Sequence, residues 1–504
     1  MMFQRGIRGL AILLGTAMCH FGVAAANHGA DAASGISETA VGHRTEEGTM
    51  PAAPETKAAA GSAVTIPTAG TESERSGPAK GNRLPGKPDI PKSKADETGP
   101  GQTAAGQNPR REKTIPAKQP GIAASFLLGD SLSERPRTMH RIGAEFRPEH
   151  IFTINPFLQG ENLAQLPVDL SLSAHLKYAF GFRPGSHADK IYGGVYQGIG
   201  AAYYDFANPR ELGNPVAVYL FQGARIARIT SRLSLDYEWN FGLSFGWKPY
   251  DREQNSRNIM MGSKVNALLN VNFFLRWMLT RELDLTVGPT LTHFSNGNTQ
   301  LPNAGLNSAG LQAGLTYNFG RKRAEIPERS PAPPFRRHVS YDVVLFGSWC
   351  SKGVEVGGDY YASPDTYPVV GLNLSALYNF GYKFRAGISL DGVYDGSANV
   401  YVPDHIIGTG MEFVRPSIDR QLALGLSARA EFVMPYFTIG LGLGANMLHK
   451  GGDLKAFYQI LALKIGITHS SFLHIGYSLR DFHMPNFLML GVGYRFNNKY
   501  PRHY

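Results

Sequence analysis

The strongest constraint on the fold of this chain is a long, unbroken alternation of apolar and polar residues. From Leu233 to Trp247, every odd-numbered position is leucine or aromatic, and every even-numbered position is serine, asparagine, glycine or acidic. A period of two is that of a β-strand with one apolar and one polar face. Strands of soluble proteins usually run to about 5–6 residues. The length and the ring-bearing apolar face therefore predict a tilted strand that crosses a bilayer, with lipid outside and a polar interior.

The same alternation recurs along the chain and predicts an all-β, antiparallel transmembrane fold of the outer-membrane type. It divides into two sets of eight candidate strands. The first set is 139–149, 168–182, 191–206, 216–227, 231–247, 261–277, 282–295 and 307–319. The second set is 339–350, 369–380, 384–395, 421–433, 435–448, 456–468, 472–481 and 487–496.

A proline-rich connector separates the two sets and indicates two domains. Residues 321–337 hold four prolines, which cannot donate to a strand ladder. Both sets end on Gly-x-x-Tyr-x-Phe, at Tyr317 and Phe319 and again at Tyr494 and Phe496, which is similar to the terminal-strand signal read by the outer-membrane assembly machinery. We predict two eight-stranded barrels in tandem, over 121–320 and 338–504; one barrel of sixteen strands is the alternative.

The N-terminal part of the chain has the composition of an export signal and a linker. Arg5 and Arg8 precede a short apolar stretch and a run of small residues, so residues 1–26 are predicted to be a signal peptide. Residues 27–120 contain no aromatic residue and are rich in Pro, Ala, Gly and Lys, which is typical of a disordered linker. Cleavage would remove Cys19 and leave Cys350 alone, so no intrachain disulfide is expected.

The candidate strand 282–295 carries a pair of residues that could perform chemistry. His293 and Ser295 continue its apolar, odd-numbered face, two residues apart and pointing the same way. If the first strand starts in the periplasm, this strand ends at the outer leaflet. A histidine that can deprotonate a serine at the depth of acyl chains suits nucleophilic attack on a lipid ester. The alternative is that the pair only marks where the strand enters the headgroup layer.

The residues around this pair carry a resemblance to a known family. The run Thr292-His-Phe-Ser-Asn-Gly-Asn298, followed by Pro302-Asn-Ala-Gly-Leu-Asn307, resembles the outer-membrane lipid A 3-O-deacylases of the PagL type. The resemblance covers about residues 122–320. It implies an eight-stranded barrel that removes an ester-linked acyl chain from lipid A.

The same resemblance implies roles for individual residues. Ser295 would be the nucleophile and His293 its base, with Asn296 and Gly297 at the oxyanion. The acid of the family, normally Glu, falls on Asn307, which has the same strand parity as His293 and would lie opposite it. An asparagine can orient an imidazole but cannot stabilise the imidazolium by charge. Residues expected to position the substrate are Leu291, Pro302 and Asn303.

The predicted function is therefore an outer-membrane serine esterase acting on lipopolysaccharide in the outer leaflet. The replacement of the acid at Asn307 motivates the alternative of a non-enzymatic structural or pore-forming barrel with a vestigial site. The matching hairpin of the second domain, 479–486, has no serine, so that domain is predicted to be non-catalytic. We expect no cofactor, no metal and no nucleic-acid partner. Of the net charge of +10, the signal peptide carries +2 and the linker +1, which leaves about +7 on residues 121–504; this excess suits an anionic lipid surface. The sequence leaves the oligomeric state open.

Overall fold

The structure is a computed structural model that describes residues 138–357, 359–403, 411–455, 457–482 and 484–501. The predicted signal peptide and linker lie outside the described residues. The described part of the chain is built almost wholly of long antiparallel strands. No helix within it is long and apolar enough to cross a membrane.

The first barrel closes because its first and last strands pair with each other. Strands β1 to β8 hydrogen-bond in sequence order, and β1 pairs with β8, for example Arg141 opposite Asn318. Two short helices, α1 (Pro156–Gln159) and α2 (His187–Tyr192), lie in connections. The strands are β1 (Thr138–Ile151), β2 (Leu170–Phe182), β3 (Tyr196–Asp205), β4 (Val216–Arg228), β5 (Leu233–Phe245), β6 (Val265–Met278), β7 (Leu283–Ser295) and β8 (Leu306–Asn318).

The second barrel closes in the same way, through pairing of its first strand with its last. Gly347 of the first strand lies opposite Leu490 of the last. Short 3₁₀ turns lie at Ile418–Arg420 and Gly452–Leu454. The strands are β9 (His338–Val356), β10 (Asp359–Asn379), β11 (Phe384–Asp395), β12 (Leu422–Val433), β13 (Phe437–Leu448), β14 (Phe457–Gly466), β15 (Ser471–Arg480) and β16 (Met484–Phe496).

Two closed eight-stranded barrels confirm the predicted fold, and the alternative of one sixteen-stranded barrel is wrong. Three local predictions also need correction. The strands predicted at 339–350 and 369–380 are too short, because β9 and β10 stay paired with each other beyond these bounds, as far as Val356 and Asp359. The stretch predicted as strand from residue 191 starts in α2, whose N-terminus is capped by the Ser186 hydroxyl. The predicted strand through Trp247 ends at Phe245, because Gly246 takes a φ of +93° and turns Trp247 away from the outer face into the buried interior.

The connections of the first barrel differ in length at its two ends. At one end they span 152–169, 206–215, 246–264 and 296–305, whereas two of those at the other end are the tight turns 229–232 and 279–282. We call the first the long-loop end. Strand β7 runs towards it, so Ser295 lies there.

Charged side chains fill the interior of the first barrel. The ammonium group of Lys177 lies 2.5 Å from a carboxylate oxygen of Glu145 and 2.5 Å from one of Glu238. Arg147 donates to Glu145 over 2.6 Å. All four side chains are nearly inaccessible, so each buried charge depends on its partners.

The second barrel repeats this arrangement with different residues. The Lys464 ammonium group lies 2.8 Å from Asp342 and 2.5 Å from Glu431. Arg495 and Arg385 complete the cluster by pairing with Asp342 and Glu431, respectively. Within each barrel, ion pairs therefore connect strands that are distant in sequence.

The outer faces of the two barrels contact each other midway along strands β4 and β5. Trp239 of β5 packs edge-on against Phe437 of β13, with ring centroids 5.1 Å apart. The side-chain amide of Gln222 donates to the carbonyl oxygen of Pro435 over 3.1 Å. Apolar burial and a hydrogen bond thus join the barrels independently of any contact at the long-loop end.

The ion cluster of the first barrel leads to a stability prediction. Lys177→Met should destabilise the barrel by about 3–5 kcal/mol, because it leaves Glu145 and Glu238 buried without their shared cation. Samples are incubated at increasing temperatures before electrophoresis, and the measurement is the incubation temperature at which the band of the folded protein disappears from the gel. Lys190→Met, in the exposed face of α2, is the matched control. Equal transition temperatures for the two variants would contradict the prediction.

Candidate active site

The register of β7 and β8 brings three predicted site residues together on the outer face of the first barrel. His293 and Asn307 are direct cross-strand partners. The imidazole Nδ1 lies 2.7 Å from Asn307 Oδ1, and Nε2 lies 3.0 Å from the hydroxyl oxygen of Ser295. The three side chains therefore form one continuous hydrogen-bonded row.

The residue between them explains why His293 and Ser295 point outwards. Phe294 is fully buried inside the barrel, with its ring 5.0 Å from that of Tyr204 and 5.1 Å from that of Trp247. Because neighbouring residues of a strand face opposite sides, anchoring Phe294 inside fixes the outward direction of both polar neighbours. Trp247, displaced from its predicted outward position, is part of this anchor.

The connection 296–305 shelters the histidine. His293 is only 6% exposed although it lies on the outer wall. Gly305, with a φ of +70°, comes so close that a Cβ there would lie 3.2 Å from His293 Cε1. A larger residue at this position would be strained and would also crowd the imidazole.

The row of hydrogen bonds defines the protonation pattern that the site can use. Asn307 Oδ1 can only accept, so the contact assigns the imidazole proton to Nδ1. Nε2 is then left with a lone pair directed at the hydroxyl of Ser295. This is the geometry of a histidine that removes a proton from a serine nucleophile.

The two residues predicted at the oxyanion differ in how their donors are used. The backbone N–H of Asn296 donates to Asn303 Oδ1 over 3.0 Å, and its side-chain amide donates to the Gln300 carbonyl oxygen over 2.7 Å. Within the described part of the chain, the backbone N–H of Gly297 has no hydrogen-bond acceptor. Gly297 is thus the better placed of the two backbone amides to receive a developing negative charge.

The residues predicted to position substrate fall into two groups. Leu291 lies on the outer face of β7, two positions before His293, where an acyl chain could contact it. Pro302 and Asn303 are buried in the connection instead. Asn303 accepts from Asn296 and donates to Asn298 Oδ1 over 3.3 Å, so it braces the loop from within.

One supporting residue was missed by the sequence reasoning. Glu149 of β1 points into the barrel behind the site and accepts hydrogen bonds from Thr292 over 2.8 Å and from Ser308 over 3.2 Å. It therefore links β7 to β8 immediately beside the His293–Asn307 pair. Its place on the polar face of a predicted strand was visible, but the partners depend on the closure of β1 against β8.

The described residues were also searched for a metal site and for a second site like that of His293. They contain no group of three or more His, Cys, Asp or Glu side chains that could hold a metal ion. In the second barrel, His474 of β15 points inwards and is 2% exposed, so it does not repeat the outward geometry of His293.

A substitution of Asn303 can tell whether this residue braces the connection or binds substrate. Asn303→Ala should lower the kcat of a reaction that uses Ser295 as nucleophile about tenfold with little change in KM, because it releases the backbone beside Ser295. The kinetics of the purified protein measure both constants. Asn214→Ala, which changes another loop asparagine at the same end, is the control. A rise in KM at unchanged kcat would instead assign Asn303 to substrate binding.

Comparison with known proteins finds two family models that match consecutive parts of the chain. Residues 170–316 match the lipid A 3-O-deacylase (PagL) family, and residues 339–498 match the acyloxyacyl hydrolase C-terminal domain. The first match contains β7 with His293 and Ser295, and the second spans nearly all of the second barrel. No curated protein matches significantly.

Solved structures that match the chain include a bacterial surface protein and an outer-membrane protein, but the similarity is low. Neisserial surface protein A is 11% identical, with a TM-score of 0.24, and the alignment covers 36% of this chain and 97% of that one. Omp33 of Acinetobacter baumannii is 10% identical, with a TM-score of 0.14, covering 71% and 98%. These scores are too low to support an argument about function.

Proposed function

This chain belongs to the lipid A 3-O-deacylase family, and from that premise we propose that Ser295, His293 and Asn307 form the site at which the ester is cut. The family gives the protein its reaction, removal of an ester-linked acyl chain from lipid A, and its place in the outer membrane. The observation that supports the proposed residues is the continuous row of hydrogen bonds from Asn307 through His293 to Ser295.

The row formed by Asn307, His293 and Ser295 lies where a lipid of the outer leaflet could reach it. Outer-membrane barrels have short periplasmic turns and longer extracellular loops, so the long-loop end of the first barrel lies at the outer surface. Ser295 faces outwards at this end and is partly exposed. Lipid A occupies the outer leaflet, and its acyl chains would lie along the apolar wall below Ser295, beginning at Leu291.

The proposed reaction runs through an acyl-enzyme. The Ser295 hydroxyl oxygen attacks the ester carbonyl carbon while His293 Nε2 takes its proton. The Gly297 amide, with the remaining N–H of the Asn296 side chain, stabilises the tetrahedral oxyanion. The carbon–oxygen bond to lipid A then breaks, and the leaving oxygen takes the proton from His293. Water, deprotonated in turn by His293, releases the fatty acid and regenerates Ser295.

Asn307 acts in this scheme as a positioning residue. It holds the proton on Nδ1 and fixes the plane of the ring, as the acid of a triad does. It contributes no negative charge to the imidazolium that forms during attack. The rate should therefore be limited by the stability of that ion more than in a site with a carboxylate.

We also propose roles for the remaining parts of the chain. The terminal aromatic residues Tyr494 and Phe496 point outwards and are exposed, which suits recognition by the outer-membrane assembly machinery. The second barrel, 338–504, is proposed to be non-catalytic, with 321–337 as its connector.

The nucleophile is tested by one substitution. Ser295→Ala should lower acyl release at least about 10³-fold, since it removes the atom that forms the acyl-enzyme. Mass spectrometry of lipid A from cells that express the protein counts the acyl chains. Ser263→Ala, at the same end of the barrel, serves as a control that keeps activity. Full deacylation by a folded Ser295→Ala protein would refute the proposed nucleophile.

The neutral partner of the histidine is tested by a pair of substitutions. Asn307→Leu should lower kcat by about 10²- to 10⁴-fold, because the ring loses its tautomer and orientation. Asn307→Asp keeps the acceptor and adds charge, so its kcat should exceed that of the unaltered protein. Steady-state kinetics on purified lipid A in detergent micelles measure both. Equal kcat values for all three proteins would remove Asn307 from the site.

A further inference from the structure

The connection 296–305, which follows the proposed nucleophile Ser295, also touches the second barrel. The Ser351 backbone N–H of β9 donates to the Asn298 carbonyl oxygen over 2.8 Å, and the Ser351 hydroxyl donates to the Thr299 carbonyl oxygen over 3.3 Å. The side-chain amide of Asn298 lies 3.4 Å from the Pro485 carbonyl oxygen of β16. These contacts occur within a few residues of Ser295.

The contacted part of the second barrel is an open seam between its first and last strands. Among the described residues, the ladder that closes this barrel ends at the pair Gly347–Leu490, although β9 continues to Val356. Just beyond that pair, the Ser348 hydroxyl of β9 donates to the Leu488 carbonyl oxygen of β16 over 2.5 Å. Past Ser348, the described part of β9 has no ladder partner on this side. The connection of the first barrel meets this free edge at Ser351, in the way that an added segment pairs with an exposed strand.

A side chain of the second barrel fits against the backbone next to the nucleophile. Gly297 has a φ of +65°, and a Cβ there would lie 2.7 Å from the Leu488 side chain of β16. Leu488 therefore rests directly on the Gly297 backbone. The amide of Gly297 is the proposed oxyanion donor, so Leu488 limits where that donor can point.

We propose that the open seam of the second barrel holds the connection 296–305 in the conformation needed for catalysis, and that Leu488 and Ser351 are positioning residues for deacylation. This inference rests on the proposed function, because it concerns how the same site is held. Under this proposal, the second barrel supports the site of the first barrel without taking part in the chemistry. The barrels also contact each other elsewhere, through Trp239 and Phe437, so the seam is not their sole contact among the described residues.

The proposal is tested on the full-length protein by weakening the seam. Leu488→Ala, alone and combined with Ser351→Ala, should lower kcat on purified lipid A by about 10- to 100-fold with KM nearly unchanged, because the oxyanion donor is misplaced. Leu490→Ala is the matched control, since Leu490 lies on the same face of β16 at the last ladder pair. Heat-modifiable gel migration checks that each variant is folded.

A tether distinguishes positioning from a general loss of structure. In a background with Cys19→Ser and Cys350→Ala, the pair Thr299→Cys and Ser351→Cys is expected to form a disulfide across the seam. When Leu488→Ala is added to this cysteine pair, oxidation should raise kcat back towards the wild-type value, and reduction of the disulfide should lower it again. Failure to form the cross-link, or wild-type kcat in all seam variants, would overturn the proposal.

Ser295→Ala, measured in parallel, separates this outcome from failure of the proposed function. An active Ser295→Ala protein refutes the site itself. An inactive Ser295→Ala protein together with fully active seam variants refutes only the role of the second barrel.

Discussion

Pairing of the backbone is the constraint on which the whole molecule depends. In the hydrocarbon layer an unpaired N–H or C=O has no water to bind, so strands must close into a barrel. Closure fixes the alternation of inward and outward side chains on every strand. The site follows from that alternation, because Phe294 inside the first barrel forces His293 and Ser295 onto the outer wall.

The distribution of charge is equally constrained by the membrane. Lys177, Glu145 and Glu238 are paired inside the first barrel, and Lys464, Asp342 and Glu431 are paired inside the second. The proposed catalytic row on the outer wall contains only groups that can be neutral. An ionised carboxylate facing lipid is costly, so an amide at position 307 lowers the cost of exposing the site to acyl chains while it weakens support for the imidazolium.

Much of the fold and the geometry of the candidate site could be predicted from the sequence, because both depend on a period of two. The alternation from Leu233 predicted the strands, and the shared parity of His293, Ser295 and Asn307 placed them on one face before their pairing was known. The turn at Gly246 escaped prediction, since Trp247 continues the apolar alternation without a break. Glu149 and Ser351 were missed for another reason: their partners come from strands far away in the chain, and a single sequence carries no signal of that pairing.

The contact between Gly297 and Leu488 has a consequence for how such a chain can vary. A residue that belongs to one barrel is restricted in size by a side chain that belongs to the other, so the two halves do not behave as interchangeable modules. Transplanting the first barrel alone would remove the contacts of the β7–β8 connection with Ser351 and Leu488, and pairing it with a foreign second barrel would require a matching surface at the seam. Inheritance of the two halves as one polypeptide keeps these complementary shapes together.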